Sequence, residues 1–299
     1  MPDENSKLIA TLPNLANEEK VRSVLACPQI SEARYNIGSA SLMTPDETVA
    51  LLKALSSEYS KIIWLDVKGR QLRVTRWADP QYEAIELNHK INVVYPAKIY
   101  FRNGEYSNIM KAKDSRILVD PLPREALGAG QSVNILAKDL EIEGYLTELD
   151  KKYLQAAEQQ GLNSVMASFV ERHDDLSEIL SFIPKAEIVS KIESLKGIEF
   201  ISSHKIGNLM AARDDLYIQT GQNKNMLEHL ATIIQNDSNA ICASRVFSSL
   251  ERQSTVDFAD YSDLTLMKNM GYKRFMLCDN ICNYHFDQAI AAWRDFIGE

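Results

Sequence analysis

The chain has 299 residues, enough for one large α/β domain or two ordinary ones with a sizeable buried core. Apolar residues make up 45% and charged residues 25%, and the net charge of −8 is spread over interspersed acids and bases, which excludes the basic footprint of a nucleic-acid or anionic-membrane binder. The acidic opening stretch MPDENSKLIATLPN has no apolar signal core and no later run is long enough to span a membrane, so a soluble, cytoplasmic protein is expected.

Strand-then-helix units follow one another along the sequence. Residues 7–12 (KLIATL) predict a strand and 17–26 a helix; 33–37 (ARYNI) predict a second strand, followed by a helix over 44–59. That helix opens with Thr44, Pro45 and Glu47, an N-cap, a first-turn proline and a capping-box acid. A third strand over 61–67 (KIIWLDV) runs into Lys68-Gly69-Arg70. From 74 to 144 the rhythm changes to short β-like runs, AIELN, INVVY, KIYFR, RILVD and SVNILA, punctuated by Gly and Pro, which predicts an inserted β module. Helical pattern returns at 147–160 and stops at Gly161.

Five further strands are expected at 164–170, 186–192, 208–212, 240–246 and 273–278. Their helices are expected at 174–182, 194–202, 224–235, 260–270 and 286–297. Eight such units favour a closed (β/α)8 barrel over an open doubly wound sheet, with 1–73 and 145–299 forming the barrel and 74–144 a small inserted domain. No GxGxxG or P-loop turn supports a dinucleotide or Walker-type site. Cys27, Cys242, Cys278 and Cys282 are scattered through apolar runs. Cys278 and Cys282 with His285 lack a second CxxC-type pair, so reduced core thiols are expected rather than a metal site.

Two segments carry the chemistry. In AEIVSKIES, strand alternation puts Val189, Lys191 and Glu193 on one face and Ile188, Ser190 and Ile192 on the other. A lysine and a carboxylate on a buried strand are costly unless they face each other, a metal or a polar cavity. The segment NLMAARDDL answers it, ending in Arg213-Asp214-Asp215, and paired acids where a strand meets a loop are common magnesium ligands. The lysine and acid alone would equally make an ordinary ion pair.

Several strand ends together are similar to one family in the same order. ATLPN, ARYNIGS, LDVKGRQLR, SFVERHDDL, IVSKIES, AARDDL, CASRVF and SDLTLMKNMGYKRFML resemble the strand-end motifs of the pyruvate kinases. In that family a small β domain is inserted after the third strand, where this sequence also changes character. The resemblance implies magnesium (or manganese) and phosphoenolpyruvate at the strand ends. On it, Lys191 matches the lysine that stabilises the enolate and the phosphoryl group, and Glu193 and Asp215 match the metal ligands. Ser244 stands for a threonine near the substrate's methylene carbon, and Arg34 matches the phosphate-binding arginine. Asn36 and Asp66 match ligands of a monovalent cation, potassium, and Arg73 an arginine on the nucleotide side, where ADP or ATP would bind.

The departures bear on function. Gly38 replaces a serine whose hydroxyl binds potassium, Val67 an adjoining threonine, Ser39-Ala40 a histidine-glycine pair, and Arg70 a hinge proline. Asp214 replaces a glycine in the Arg213-Asp214 loop expected to hold the substrate carboxylate. Facing inward it would repel an anion by about 4 kcal/mol at roughly 4 Å; facing solvent it would be harmless. The insertion is short, and the resemblance stops after the eighth helix, so the family's C-terminal regulatory domain is not expected. A pyruvate kinase-like phosphotransferase is the leading reading. A magnesium-dependent aldolase or lyase using the same enolate comes second, and a non-catalytic ligand-binding or scaffold relative third. Trp293 and Tyr284 offer a possible homo-oligomer face, with core packing as the alternative.

Overall fold

Strands covered on both sides are mostly apolar, and the sequence supplies eight such segments that close on one another. The structure is a computed structural model and describes residues 6–39, 41–101, 104–124, 127–223 and 225–299. Ala40, Arg102, Lys224 and the first five residues, all touched by the sequence reading, lie outside the described residues. Strands Lys7–Thr11 (β1), Ile30–Asn36 (β2) and Ile62–Val67 (β3) come first. The insertion holds Ile85–Glu86 (β4), Ile91–Asn92 (β5), Ala97–Tyr100 (β6), Tyr106–Lys113 (β7), Arg116–Asp120 (β8), Asn134–Leu136 (β9) and Glu141–Ile142 (β10). Then come Ser164–Ala167 (β11), Glu187–Ile192 (β12), Leu209–Ala212 (β13), Ile241–Ala243 (β14) and Arg274–Leu277 (β15). The closed parallel barrel runs β1-β15-β14-β13-β12-β11-β3-β2, as expected for a (β/α)8 protein.

Side chains of period two sort themselves into an outer and an inner set. Leu8, Ala10, Ile63, Leu65, Val165, Ala167, Leu209, Ala211, Cys242 and Phe275 pack outward under the helices. Ile9, Trp64, Met166, Val189, Met210, Ile241 and Met276 fill the inside. Below them, Trp64 Nε1 donates to Glu32 Oε2 at 2.6 Å and Arg274 Nη2 pairs with the same carboxylate at 2.8 Å, closing the N-terminal end.

The helices are Glu18–Ala26 (α1), Pro45–Tyr59 (α2), Glu148–Gln160 (α3), His173–Phe182 (α4), Leu195–Ser203 (α5), Arg213–Gln219 (α6), Met226–Asn236 (α7), Phe258–Met270 (α8), Asp279–Tyr284 (α9) and Phe286–Ile297 (α10). Capping boxes at Thr44/Glu47 and Thr147/Asp150 start α2 and α3, and left-handed Gly161 and Gly271 stop α3 and α8, as their sequences predict. The short helices α6 and α9 have no counterpart among the expected helices, because each begins at a strand end with too few residues to show a helical period.

Between β3 and α3 the chain builds an antiparallel sheet in the order β4-β8-β7-β6-β9, with β10 and β5 paired beside it, around its own core of Ile85, Ile99, Ile109, Ile117 and Ile135. The longest of these strands, β7 (YSNIMKAK), escapes the sequence reading. It has one wet face and a register shift between Ile109 and Lys111 that breaks its alternation. At the exit from β3, Gly69 has φ +48° and a Cβ there would lie 2.6 Å from both the Ser168 carbonyl and the Tyr145 ring, so the turn requires glycine. Next to it, where the resemblance expects proline, the buried Arg70 donates to both oxygens of Asp175, at 2.6 Å through Nη1, and lies over the Tyr145 ring. An ion pair to the start of α4 therefore braces this exit.

Candidate active site

The same alternation that fills the barrel builds the site one layer higher. Moving two residues along from Glu32, Trp64, Met166 and Val189 reaches Arg34, Asp66, Ser168 and Lys191, and a further step reaches Asn36, Lys68 and Glu193. These side chains meet at the C-terminal ends of the strands. Asp66, fully buried, is the hub: its Oδ2 accepts from Arg34 Nε at 2.7 Å and Lys68 Nζ at 3.1 Å, and its Oδ1 from Lys191 Nζ at 3.2 Å and Ser168 Oγ at 3.3 Å. Lys191 also donates to Ser168 Oγ at 2.7 Å and lies 3.3 Å from Glu193 Oε1, while Glu193 Oε2 accepts the Phe169 N–H at 2.7 Å. Arg34 Nη1 donates to Thr11 Oγ1 and to Asp279 Oδ1, both at 3.0 Å, and Asn36 Nδ2 donates to Asp279 Oδ2 at 2.9 Å.

This density of charge perturbs protonation. Burial opposes ionisation of Asp66, but Arg34, Lys191 and Lys68 outweigh it and hold the carboxyl well below the usual range. Burial also opposes the Lys191 ammonium, yet Asp66 and Glu193 raise it above the ordinary lysine value. Burial pushes Glu193 up to about 7, opposed by Lys191 and helped by the charges of Asp215 and Asp66. Burial takes Lys68 down to about 7, against the pull of Asp66 and helped by Arg73, Lys191 and Arg34.

Arg34, Asn36, Asp66, Lys191 and Glu193 thus form one connected cluster. Asp215, half-buried at the first turn of α6, is tied to the insertion: Asn134 Nδ2 donates to its Oδ1 at 2.8 Å and Gln71 Nε2 to its Oδ2 at 3.4 Å. Arg73 grips Gln71 Oε1 through Nε at 2.9 Å and the Gly130 carbonyl through Nη1 at 2.6 Å, so it braces the base of the insertion. Ser244 sits just past β14 with φ +66°, and its hydroxyl makes no hydrogen bond among the described residues.

The Arg213-Asp214 pair points elsewhere. Arg213 is buried, holds Asp263 through two 2.8 Å bonds, and donates to the Ala243 and Ser244 carbonyls. Its side chain thus supports the Ser244 turn, where Ser244, Arg245 and Phe247 all have left-handed backbones. Asp214 is exposed and pairs with the half-exposed Arg245 at 2.8 Å. Asp214→Gly is therefore expected to cost only about 0–1 kcal/mol of stability and to leave anion affinity nearly unchanged. Calorimetric binding of phosphoenolpyruvate to both proteins checks this, and a large gain in affinity for the variant would show that the carboxylate does face the ligand.

Lys68, Ser168, Asp279 and the Gln71–Asn134 clamp join the cluster beyond the residues expected from the sequence. Lys68 and Ser168 were within reach, since each continues the inward face of its strand by one step. Asp279, brought to Arg34 across 245 residues, and Asn134, brought to Asp215 across 81, leave no local pattern.

A closed parallel barrel with a buried, charged cluster at its C-terminal rim defines a (β/α)8 protein with its candidate reacting groups where such barrels carry them. Residues 92–280 match the family described as pyruvate kinase, barrel domain. The chain belongs to the pyruvate kinase family. It is 22% identical over 298 residues to pyruvate kinase 2 of Trypanosoma brucei brucei, covering 87% of this chain and 59% of that one. It is 24% identical over 302 residues to a pyruvate kinase of Chlamydia pneumoniae, covering 87% and 60%. To the human pyruvate kinase PKLR it is 26% identical over 217 residues, covering 66% of this chain and 37% of the human one. The chain thus spans about three fifths of the length of the first two relatives.

Proposed function

We propose that this member of the family carries out magnesium-dependent chemistry through a pyruvate-type enolate, with phosphoenolpyruvate, pyruvate or a close 2-oxo acid as substrate. The observation that carries it is the hydrogen-bonded cluster of Lys191, Glu193, Asp66 and Arg34 at the rim of the barrel. In this reading 1–73 and 145–299 are the catalytic barrel and 74–144 is a lid over it. No described helix is long and apolar enough to cross a membrane, and the four cysteines are free, which supports a reducing, cytoplasmic setting.

The donor set suits the divalent ion. Magnesium is usually held by one or two carboxylates, with water and substrate completing its shell. Glu193 and Asp215 are such a pair, and no group of three His, Cys, Asp or Glu suited to a metal occurs among the described residues. When bound, the ion would supply positive charge to the enolate and phosphoryl oxygens.

The chain's own groups do the rest. Lys191, kept cationic by Asp66 and Glu193, stabilises the developing oxyanion from a fixed position, which costs no reorganisation during reaction. Arg34, clamped between Asp66 and Asp279, offers its guanidinium to a phosphoryl group. Ser244, with a hydroxyl uncommitted to any described residue, would on this reading pass a proton to the methylene carbon through water. Arg73 and the insertion cover the rim where an acceptor such as ADP would enter.

Exchange of pyruvate methyl protons with deuterated solvent, in the presence of magnesium and without nucleotide, tests the enolate. Pyruvate release from phosphoenolpyruvate with and without ADP tests the phosphoryl acceptor. Neither activity in well-folded protein would end this reading; exchange without ADP-dependent release would assign the enolate to carbon–carbon bond chemistry.

Protonation of Glu193 sets a pH dependence. An ion needs the carboxylate, so below pH 7 its affinity should fall about tenfold per pH unit, with uptake of the ion releasing a proton, and above 7 it should level off. The metal-free protein should behave oppositely in stability. A folded-state value of about 7 above the ordinary 4.5 means that the fold holds its proton longer, so stability falls as pH rises from about 4.5 towards 7. Titration calorimetry in buffers of different ionisation enthalpy reads both the affinity and the proton. An affinity flat from mildly acid to mildly alkaline pH would remove Glu193 from the ion's ligands.

A further inference from the structure

Arg34 is the group that a phosphoryl oxygen would have to reach, and most of its donors are already committed. A guanidinium presents five N–H bonds in a fixed fork. In Arg34 the Nε and Nη2 nitrogens both lie on Asp66 Oδ2, at 2.7 and 2.5 Å, and the two Nη1 bonds go to Thr11 Oγ1 and Asp279 Oδ1, both at 3.0 Å. What is left for a ligand is a single N–H of Nη2.

The two acids reach Arg34 from opposite directions around the barrel. Asp66 comes from β3 on one side of β2, and Asp279 follows β15, which lies beyond β1 on the other. Asp66 is fully buried, whereas the Asp279 side chain is 39% exposed and stands at the open rim. Its Oδ2 is fixed in turn by Asn36 Nδ2 at 2.9 Å, so the carboxylate leaves Arg34 only by giving up bonds at both oxygens. Burial opposes its ionisation, but Arg34, the Asn36 bond and Lys68 outweigh it and keep the carboxyl below its usual range, so an incoming ligand meets an anion.

The balance of charge points the same way. Arg34, Lys68 and Lys191 are set against Asp66, Glu193 and Asp279. A phosphoryl group, with about two negative charges, would enter a balanced cluster rather than a positive one. It would also meet a like charge on the guanidinium edge that it needs. A 2-oxo acid brings one charge and no phosphoryl group to seat on Arg34.

We infer that Asp279 is a specificity-determining residue: its carboxylate occupies the edge of Arg34 that a phosphoryl group would take, and so tilts the site towards unphosphorylated 2-oxo acids. This narrows the proposed function, on which it rests for the identity of the ligands: phosphoenolpyruvate gains the full fork of Arg34 only by displacing Asp279.

Calorimetric titration of the native chain and of Asp279→Asn tests it with three probes, inorganic phosphate alone and phosphoenolpyruvate and pyruvate with magnesium. The amide keeps the shape and an acceptor for Arg34 but removes the charge. Phosphate and phosphoenolpyruvate should bind the variant about ten- to a hundredfold more tightly, and pyruvate should bind both proteins alike. A folded variant that holds phosphate no better than the native chain would overturn the inference. So would an equal gain for pyruvate, which would mark a general effect of charge. Crystals of the native protein soaked in inorganic phosphate give a second reading that needs no variant. Arg34 without phosphate, or with Asp279 displaced by it, is the expected result; phosphate seated on Arg34 beside an intact Arg34–Asp279 pair would overturn the assignment. Should Asp279→Asn fail to fold, this map decides alone. Failure of the proposed function reads differently, because pyruvate would then bind neither protein while the phosphate comparison still stands.

Discussion

Lys191→Met is expected to remove enolate chemistry and leave a folded barrel. Methionine keeps most of the side chain's length and apolar stem but gives up the donors to Asp66 at 3.2 Å, Ser168 at 2.7 Å and Glu193 at 3.3 Å. Asp66 keeps Arg34 and Lys68, so the loss of stability should stay near ~1–3 kcal/mol rather than that of a wholly uncompensated charge. On the proposed reading the enolate would lose the ammonium fixed beside it and keep only the charge of the divalent ion. Losing a preorganised cation at the oxyanion should slow pyruvate methyl exchange by about 10³-fold, equivalent to ~4 kcal/mol of barrier. Exchange is followed by proton NMR and folding by urea denaturation. A variant that exchanges within about tenfold of the native rate would show that the oxyanion is stabilised elsewhere.

The barrel was legible because its signals are local. Runs such as KIIWLDV and SVMASFV are too apolar to face water on either side, AEIVSKIES shows a strand's alternation, and the helices between them announce their ends with Thr44/Glu47, Thr147/Asp150, Gly161 and Gly271. The centre of the candidate site was legible by the same period, since a lysine and glutamate that follow Val189 on its inward face must meet above the barrel's filling. What could not be read was decided by distant partners. The sequence marks Arg213 as part of a rim loop but not that its guanidinium turns back to Asp263. Nor does it show that Asp214 leaves the rim for Arg245, or that Asp279 joins Arg34 and Asn36. Strand β7 was hidden for another reason: a register shift and a wet face erase the alternation that marks a strand.

Two departures from the family pattern share one physical character. Gly38 removes a hydroxyl and leaves room that Lys68 and Arg73 fill, while Arg70 replaces a stiff hinge residue by a buried pair with Asp175. In both places fixed side-chain charge stands where the resemblance expects a small ligand atom or a rigid ring. A cluster organised in this way depends on its internal charge balance.

That balance predicts the largest stability effect in the chain, for Asp66→Asn. The amide has nearly the same shape, yet it leaves Arg34, Lys68 and Lys191 buried around a neutral group, with Glu193 and Asp279 as their remaining counter-charges. Its NH₂ would also meet one of these donors head-on, whichever way it turned. Breaking a buried ion network by removing its central partner costs about 3–5 kcal/mol, a large share of the ~5–15 kcal/mol that holds a typical domain. The sign of the pH dependence follows from the Asp66 carboxyl, held well below its ordinary 3.8. Its contribution is complete above the unfolded value and is lost as pH falls through the folded one. The Asp66 carboxyl's own share of the gap between native and Asp66→Asn stability should therefore be constant from neutral pH to about 5 and be lost only in strong acid, while Lys68 and Glu193, both near 7 and both held up by Asp66, add a rise in the gap as pH falls below 7. Urea denaturation across that range measures it. A gap under ~1 kcal/mol at neutral pH would mean that the three cations are neutralised by other groups and that Asp66 is not their hub.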